Sequence, residues 1–327
     1  MKFQKLNKDD VAAEPVYDPD RRIVDSHIHL WNRDLTGSYL TPNLADDLDD
    51  GHRVEAVVYV ECSERYLSDG PEHLRSAGET DYAAHCANRE PRIKGILAHL
   101  NLMQPEKFRE ALNLHKERAQ GLLAGVRHAA ACDPNRQGLA NPGRAAPGIL
   151  RNSTYRDSVR CLGRHGLVND HWIFFHQIPD LTRLAQHASE TLIVINHFGM
   201  PLGVGPYRDA MQEVKSTWRA NMKALAACPN VHVKLGGLGA PDCGYDWSMR
   251  KNPPSSEEVS RKYDFWIHRT VEMFGPDRCM FGSNFPVERL SVSYRTFWNA
   301  MKRSVEGYSD SERDALFSGT ARRIYSL

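Results

Sequence analysis

No stretch of this chain approaches the about 18 consecutive apolar residues that a membrane-spanning helix needs, so no membrane span is expected. The first 22 residues are polar and hold no apolar signal core, so 1–22 is expected to be an N-terminal extension and not a secretory signal. An excess of one charge is also missing. The chain carries 42 Lys and Arg against 41 Asp and Glu, whereas a nucleic-acid partner calls for a basic excess or patch. Cysteines are few and scattered: seven, at 62, 86, 132, 161, 228, 243 and 279, with no CxxC pair. That spacing argues against a disulfide framework and against a thiolate zinc site, and a reducing cytoplasm is the expected setting. Neither GxGxxG nor GxxxxGK[ST] occurs, which removes the usual phosphate-binding turns of nucleotide enzymes.

What the chain does have is repetition. Eight short apolar runs, at 23–30, 54–62, 94–102, 123–130, 172–178, 192–198, 230–238 and 279–287, are each followed by a helix-like stretch. Runs of this length between polar turns read as buried parallel strands. Two of the intervening stretches are clear amphipathic segments. In 180–190, Leu181, Leu184, Ala185 and Ala188 share a face and Asp180 is the expected N-cap; 257–275 ends at Gly275-Pro276, a helix stop. Eight βα units predict a (β/α)8 TIM barrel over 23–327 as a single domain. A doubly wound sheet is the competing fold, but it would carry a glycine-rich turn after its first strand. Long loops at 62–92, 129–156, 199–220 and 236–256 all follow strand ends, on the face where barrels build active sites.

The first run ends in Asp25-Ser26-His27-Ile28-His29. Residues i and i+2 of a strand point the same way, so two imidazoles stand side by side at the barrel mouth, suited to one metal ion. The fifth run places His176 after Phe174-Phe175, and the sixth places His197 after Ile195-Asn196. Four histidines at three strand ends form a constellation.

These stretches, together with AGVRH, INHFGMP, NVHVKLGGL and RCMFGSNFP, resemble the amidohydrolase superfamily. Within it they are similar to the amidohydrolase-related TIM-barrel hydrolases that include sugar lactonases and 2-pyrone-4,6-dicarboxylate lactonase. The resemblance implies a metal held by His27, His29 and His176, and a substrate carbonyl polarised by His197. It also implies a strand-eight Asp as proton-transfer group, and here that position is Asn284, a neutral amide that cannot act as a base. No Lys stands on strand four, so a binuclear centre is not expected. The cofactor is then one divalent metal, with zinc as the leading identity, or none.

Two further residues have double readings. Glu61 is either a hydrated carboxylate or the replacement base. Arg127 either grips a substrate carboxylate, with His128 beside it, or pairs with Glu61. The expected reaction is hydrolysis of a lactone or related cyclic ester, on a small-molecule carboxylate or lactone substrate. Non-oxidative decarboxylation of an aromatic or unsaturated acid is the alternative reaction, and a non-catalytic small-molecule-binding barrel is the alternative class. A homo-oligomer is compatible with all three.

Overall fold

A computed structural model describes residues 14–33, 37–136 and 138–327. The first strand, β1 (Ile23–Ile28), is followed by a small antiparallel hairpin, β2 (Trp31–Arg33) and β3 (Gly37–Tyr39). Seven more strands then join β1 in one parallel sheet: β4 (Val54–Val60), β5 (Ile93–Ala98), β6 (Leu123–Arg127), β7 (Val168–His171), β8 (Ile193–Ile195), β9 (Val231–Leu235) and β10 (Cys279–Phe281). Their order in space is their order in sequence, and helices separate them. The architecture is the expected (β/α)8 barrel.

β1 and β10 close the barrel at a looser seam. One parallel bridge links Ile28 to Phe285. Around it, Ser26 Oγ donates to Phe281 O at 2.8 Å, His29 N to Phe285 O at 2.7 Å and Asn284 N to His27 O at 2.8 Å. The His-x-His segment therefore lies along the seam, and its backbone is held by the loop that carries Asn284.

Inside the barrel, Val24, Val58, Val60, Leu97, Val168, Val194 and Met280 form an apolar layer. The C-terminal helix Thr320–Tyr325 packs Ala321, Ile324 and Tyr325 against that layer. Burying β-branched and aliphatic side chains there, at about 25 cal/mol per Å², is the main force holding the strands in register. Of the expected N-terminal extension, residues 1–13 lie outside the described residues. The rest is tied to the helix Tyr294–Ser304: Asn299 Oδ1 accepts from Tyr17 N at 2.8 Å, and Lys302 Nζ donates to Asp18 O at 2.6 Å.

The fifth strand corrects the sequence reading. It is Val168–His171, not 172–178. His176 sits beyond it in a 3-10 turn, Phe175–Gln177. The strand was hidden because its sequence, VNDH, is polar; buried Asp170 is paired with Lys234 on β9, and buried Asn169 donates its Nδ2 to Val126 O on β6. The next helix, Ile178–His187, has Gln177 and not Asp180 at its N-cap position, without a side-chain capping bond. Pro179 in its first turn has the fixed φ of a helix start, while Gln177 Oε1 accepts from Phe174 N and Cys132 N, both at 3.1 Å. Asp180 instead lies within the first turn and pairs with Arg183. The second expected helix is present as Ser256–Phe274, stopped at Gly275.

Candidate active site

His27, His29 and His197 meet at the C-terminal end of the strands. The rings of His27 and His29 lie 4.8 Å apart by centroid, and those of His27 and His197 4.5 Å apart. All three are buried. Asp25, fully buried at the start of this segment, holds the local backbone: Oδ1 accepts from His27 N at 3.1 Å and Ser283 N at 2.8 Å, and Oδ2 from Tyr294 OH at 3.0 Å. Burial pushes its carboxyl up to about 6 in spite of these bonds.

One set of proton positions satisfies the whole cluster. His29 Nδ1 lies 2.7 Å from Val60 O, and a carbonyl only accepts, so the proton is on Nδ1 and His29 Nε2 is an acceptor. His27 Nε2, 3.1 Å away, must then donate. Its Nδ1 is left as an acceptor facing Lys234 Nζ at 3.5 Å. Lys234, on β9 with no exposure, is held by Asp170 at 2.8 Å and lies over the Tyr325 ring. Asp170 also accepts from Asn196 Nδ2 at 2.7 Å and Tyr325 OH at 3.3 Å. The result is a continuous line from the C-terminal helix to the mouth, Tyr325–Asp170–Lys234–His27–His29–Val60.

The electrostatics follow from this packing. Burial, reinforced by Lys234, lowers His27 well below the ordinary imidazole value. Burial and the Arg127 charge do the same to His29. His197 is pushed down to about 3 by burial, then by Lys234 and Arg127. All three are neutral at physiological pH. Burial alone would raise Asp170, but the charges of Lys234 and Arg127 outweigh it and hold the carboxylate ionised.

Glu61 and Arg127 find each other. Arg127 Nε donates to Glu61 Oε1 at 2.7 Å, and its Nη2 bonds to the Glu61 carbonyl oxygen. The ion-pair reading of Arg127 is the one observed, and its Nη1 has no hydrogen-bond partner among the described residues. The loop after β4 is shaped by Glu79, whose carboxylate accepts from Cys62 N at 2.6 Å and from Ser63 N and Glu64 N, both at 3.2 Å. His128 Nδ1 accepts from Leu102 N at 3.1 Å, so its proton is on Nε2. Asn284 lies beside His27 with a left-handed backbone, φ 58°, a conformation asparagine tolerates better than most residues.

His176 does not join the His27–His29 pair. Its Nε2 is bonded to Asp133 Oδ2 at 2.9 Å, and among the described residues no group of three His, Cys, Asp or Glu could hold a metal ion. A zinc site needs at least three protein donors with free lone pairs. Here two imidazoles face each other with a proton between them, and an ammonium stands behind one. The residues as placed do not fit a closed metal site, and no step below is drawn through one. Sequence reasoning passed over Asp170 and Asp133; it read Lys234 as a buried, paired structural lysine outside the site, and Tyr207 as a candidate to line an apolar pocket. A lysine inside the apolar run VHVKL was the available signal for Asp170, since a buried ammonium requires an acid partner.

Comparison with known proteins places this chain in a family. The amidohydrolase family model matches residues 24–327, and the chain belongs to that family. It is 28% identical to the uncharacterized protein y4mH of Sinorhizobium fredii, over 94% of this chain and 99% of that one. It is 31% identical to an L-fucono-1,5-lactonase of Burkholderia multivorans, over 55% of this chain and 58% of the relative. A crystal structure of an amidohydrolase from Burkholderia multivorans with bound zinc superposes with a TM-score of 0.73 at 25% identity, covering 93% of this chain and 99% of that one. The protein is a hydrolase of the lactonase-like amidohydrolases, acting on a small molecule. No helix among the described residues is long and apolar enough to cross a membrane.

Proposed function

We propose that the protein opens a lactone of the sugar-acid kind, with His197 and Arg127 polarising the ring carbonyl. The observation that carries this reading is the buried meeting of neutral His197 with His27 beside the Arg127–Glu61 pair. It is supported by the similarity to an L-fucono-1,5-lactonase. A neutral imidazole donates one N–H to a carbonyl oxygen without carrying charge, and the open Nη1 of Arg127 is a second donor. Donors fixed in a dry site stabilise a developing oxyanion by about 3–4 kcal/mol each. Lys234 and Asp170 hold His27, and through it His29, as a neutral floor under the substrate. His128, with its proton on Nε2, is placed as a donor for a substrate hydroxyl or carboxylate. Asn284, neutral and beside His27, serves as a hydrogen-bonding side chain and not as a base.

The reaction is assigned to the protein's own donors, since His176, the third expected zinc ligand beside His27 and His29, is bonded to Asp133 instead. The test is turnover of a panel of five- and six-membered sugar lactones, L-fucono-1,5-lactone among them, followed by acid release with and without chelator. Hydrolysis that survives chelation is the expected result. Activity lost to chelator and restored by zinc would overturn the metal-free assignment. Decarboxylation of an aromatic acid with no lactone turnover would overturn the reaction.

A further inference from the structure

We infer that His176, oriented by Asp133, is the general base that takes a proton from the attacking water. The inference rests on the lactonase reading above. Three loops at the C-terminal face supply the parts: Asp133 follows β6, His176 follows β7, and Tyr207 follows β8. The Asp133 side chain has no exposure, whereas that of His176 is 29% exposed. Asp133 Oδ2 accepts from His176 Nε2 at 2.9 Å and from Tyr207 OH at 2.8 Å, and Oδ1 accepts from Asn135 N at 2.6 Å.

A carboxylate that receives three donors is an acceptor at every bond, so His176 must carry its proton on Nε2. Nδ1 then holds a free lone pair, and it has no hydrogen-bond partner among the described residues. A buried carboxylate fixing one imidazole nitrogen while the other faces outward is the arrangement that orients a histidine base. The turn Phe175–Gln177 packs against the turn His197–Gly199, so the base and the carbonyl polariser stand on neighbouring turns. The other candidates are engaged elsewhere or unsuited: Glu61 Oε1 is held by Arg127 Nε, Asn284 cannot accept a proton, and His27 and His29 face each other.

The step balances without a further reagent. The water oxygen bonds to the carbonyl carbon as its proton passes to His176 Nδ1, and the carbonyl π pair moves onto oxygen, held by His197 and Arg127. On collapse the ring C–O bond breaks, and the departing alkoxide takes the proton back from Nδ1. The product is the open hydroxy acid, and His176 is again neutral.

The experiment has two arms on the whole protein. In wild type, 15N NMR reads the His176 tautomer, and protonation on Nε2 is expected; a proton on Nδ1 overturns the inference whether or not a lactone is turned over. On a lactone that wild type hydrolyses, His176→Gly is expected to lower kcat by about 10²-fold or more, and added imidazole is expected to restore at least a tenth of the wild-type rate. Asp133→Asn should lower kcat with little change in KM. A His176→Gly enzyme with wild-type kcat overturns the inference. So does a folded His176→Gly enzyme, verified by circular dichroism, that imidazole cannot rescue. Lactone inertness of wild type refutes the lactonase reading and with it the catalytic role of His176.

Discussion

Removing one member of the Lys234–Asp170 pair should cost far more than removing both. Each side chain has no exposure, and the ion contact is 2.8 Å. In Lys234→Met the carboxylate keeps Asn196 Nδ2 and Tyr325 OH but loses its counter-charge. In Asp170→Asn the ammonium keeps the His27 acceptor, the Tyr325 ring face and a neutral amide oxygen, but loses its counter-charge. Stranding a buried charge in this way costs about 3–5 kcal/mol, whereas replacing a whole pair by neutral groups of similar volume is close to neutral. At about 2.1 cal/mol/K per residue, the unfolding entropy of a chain of 327 residues is about 0.7 kcal/mol/K, so each single variant should melt about 4–7 °C lower. The double variant Asp170→Asn with Lys234→Met should recover most of that loss. Urea unfolding at pH 7 and scanning calorimetry measure all four proteins. Single variants within 0.5 kcal/mol of wild type, or a double variant as unstable as the sum of the two, would show that the pair does not carry a desolvated charge, and the line reaching His27 would lose its basis.

Gly237→Ala should damage activity more than stability. Gly237 has φ +82°, and an added Cβ would run into the His197 ring; a kcat equal to wild type would show that the ring has room to move. Glu61→Gln should lower stability by about 3–5 kcal/mol by leaving the buried Arg127 guanidinium without its carboxylate, read by urea unfolding, and a loss below about 1 kcal/mol would contradict the buried pair. His171 is fully buried with neither ring nitrogen partnered among the described residues, and burial pushes its pKa down to about 4. The unfolded chain, near 6.5, takes up the proton first, so this part of the stability is present above pH 6.5 and is lost as pH falls toward 4, by about 1.4 kcal/mol per unit. His171→Phe should therefore be about 2 kcal/mol less sensitive to a shift from pH 7 to pH 5, and an unchanged sensitivity would refute the assignment.

The barrel was legible because seven of its strands are apolar runs whose periodicity carries the signal, and the amphipathic segment ending at Gly275 showed a helix and its stop. The fifth strand was not legible, because VNDH looks like a turn until Lys234 on β9 and Val126 on β6 supply its partners. That one misplacement carried His176 with it. Read as a strand end, it belongs with His27 and His29; in a turn beyond the strand, it reaches Asp133 instead. The His-x-His pair was readable from local alternation alone. The pairing of Glu61 with Arg127 was open in the sequence because residues 66 positions apart become neighbours only when the strands are laid side by side. Asn284 was recognisable as an amide where a carboxylate is usual, but only the fold shows its backbone tied to His27.

The most direct test of the central claim is the kcat of His197→Asn against wild type on a sugar lactone, both proteins chelator-treated and checked for fold. If His197 polarises the carbonyl from a dry site, the variant should lose about 10²–10³-fold in kcat, with a much smaller change in KM. A His197→Asn protein that hydrolyses the lactone at the wild-type rate would contradict the account.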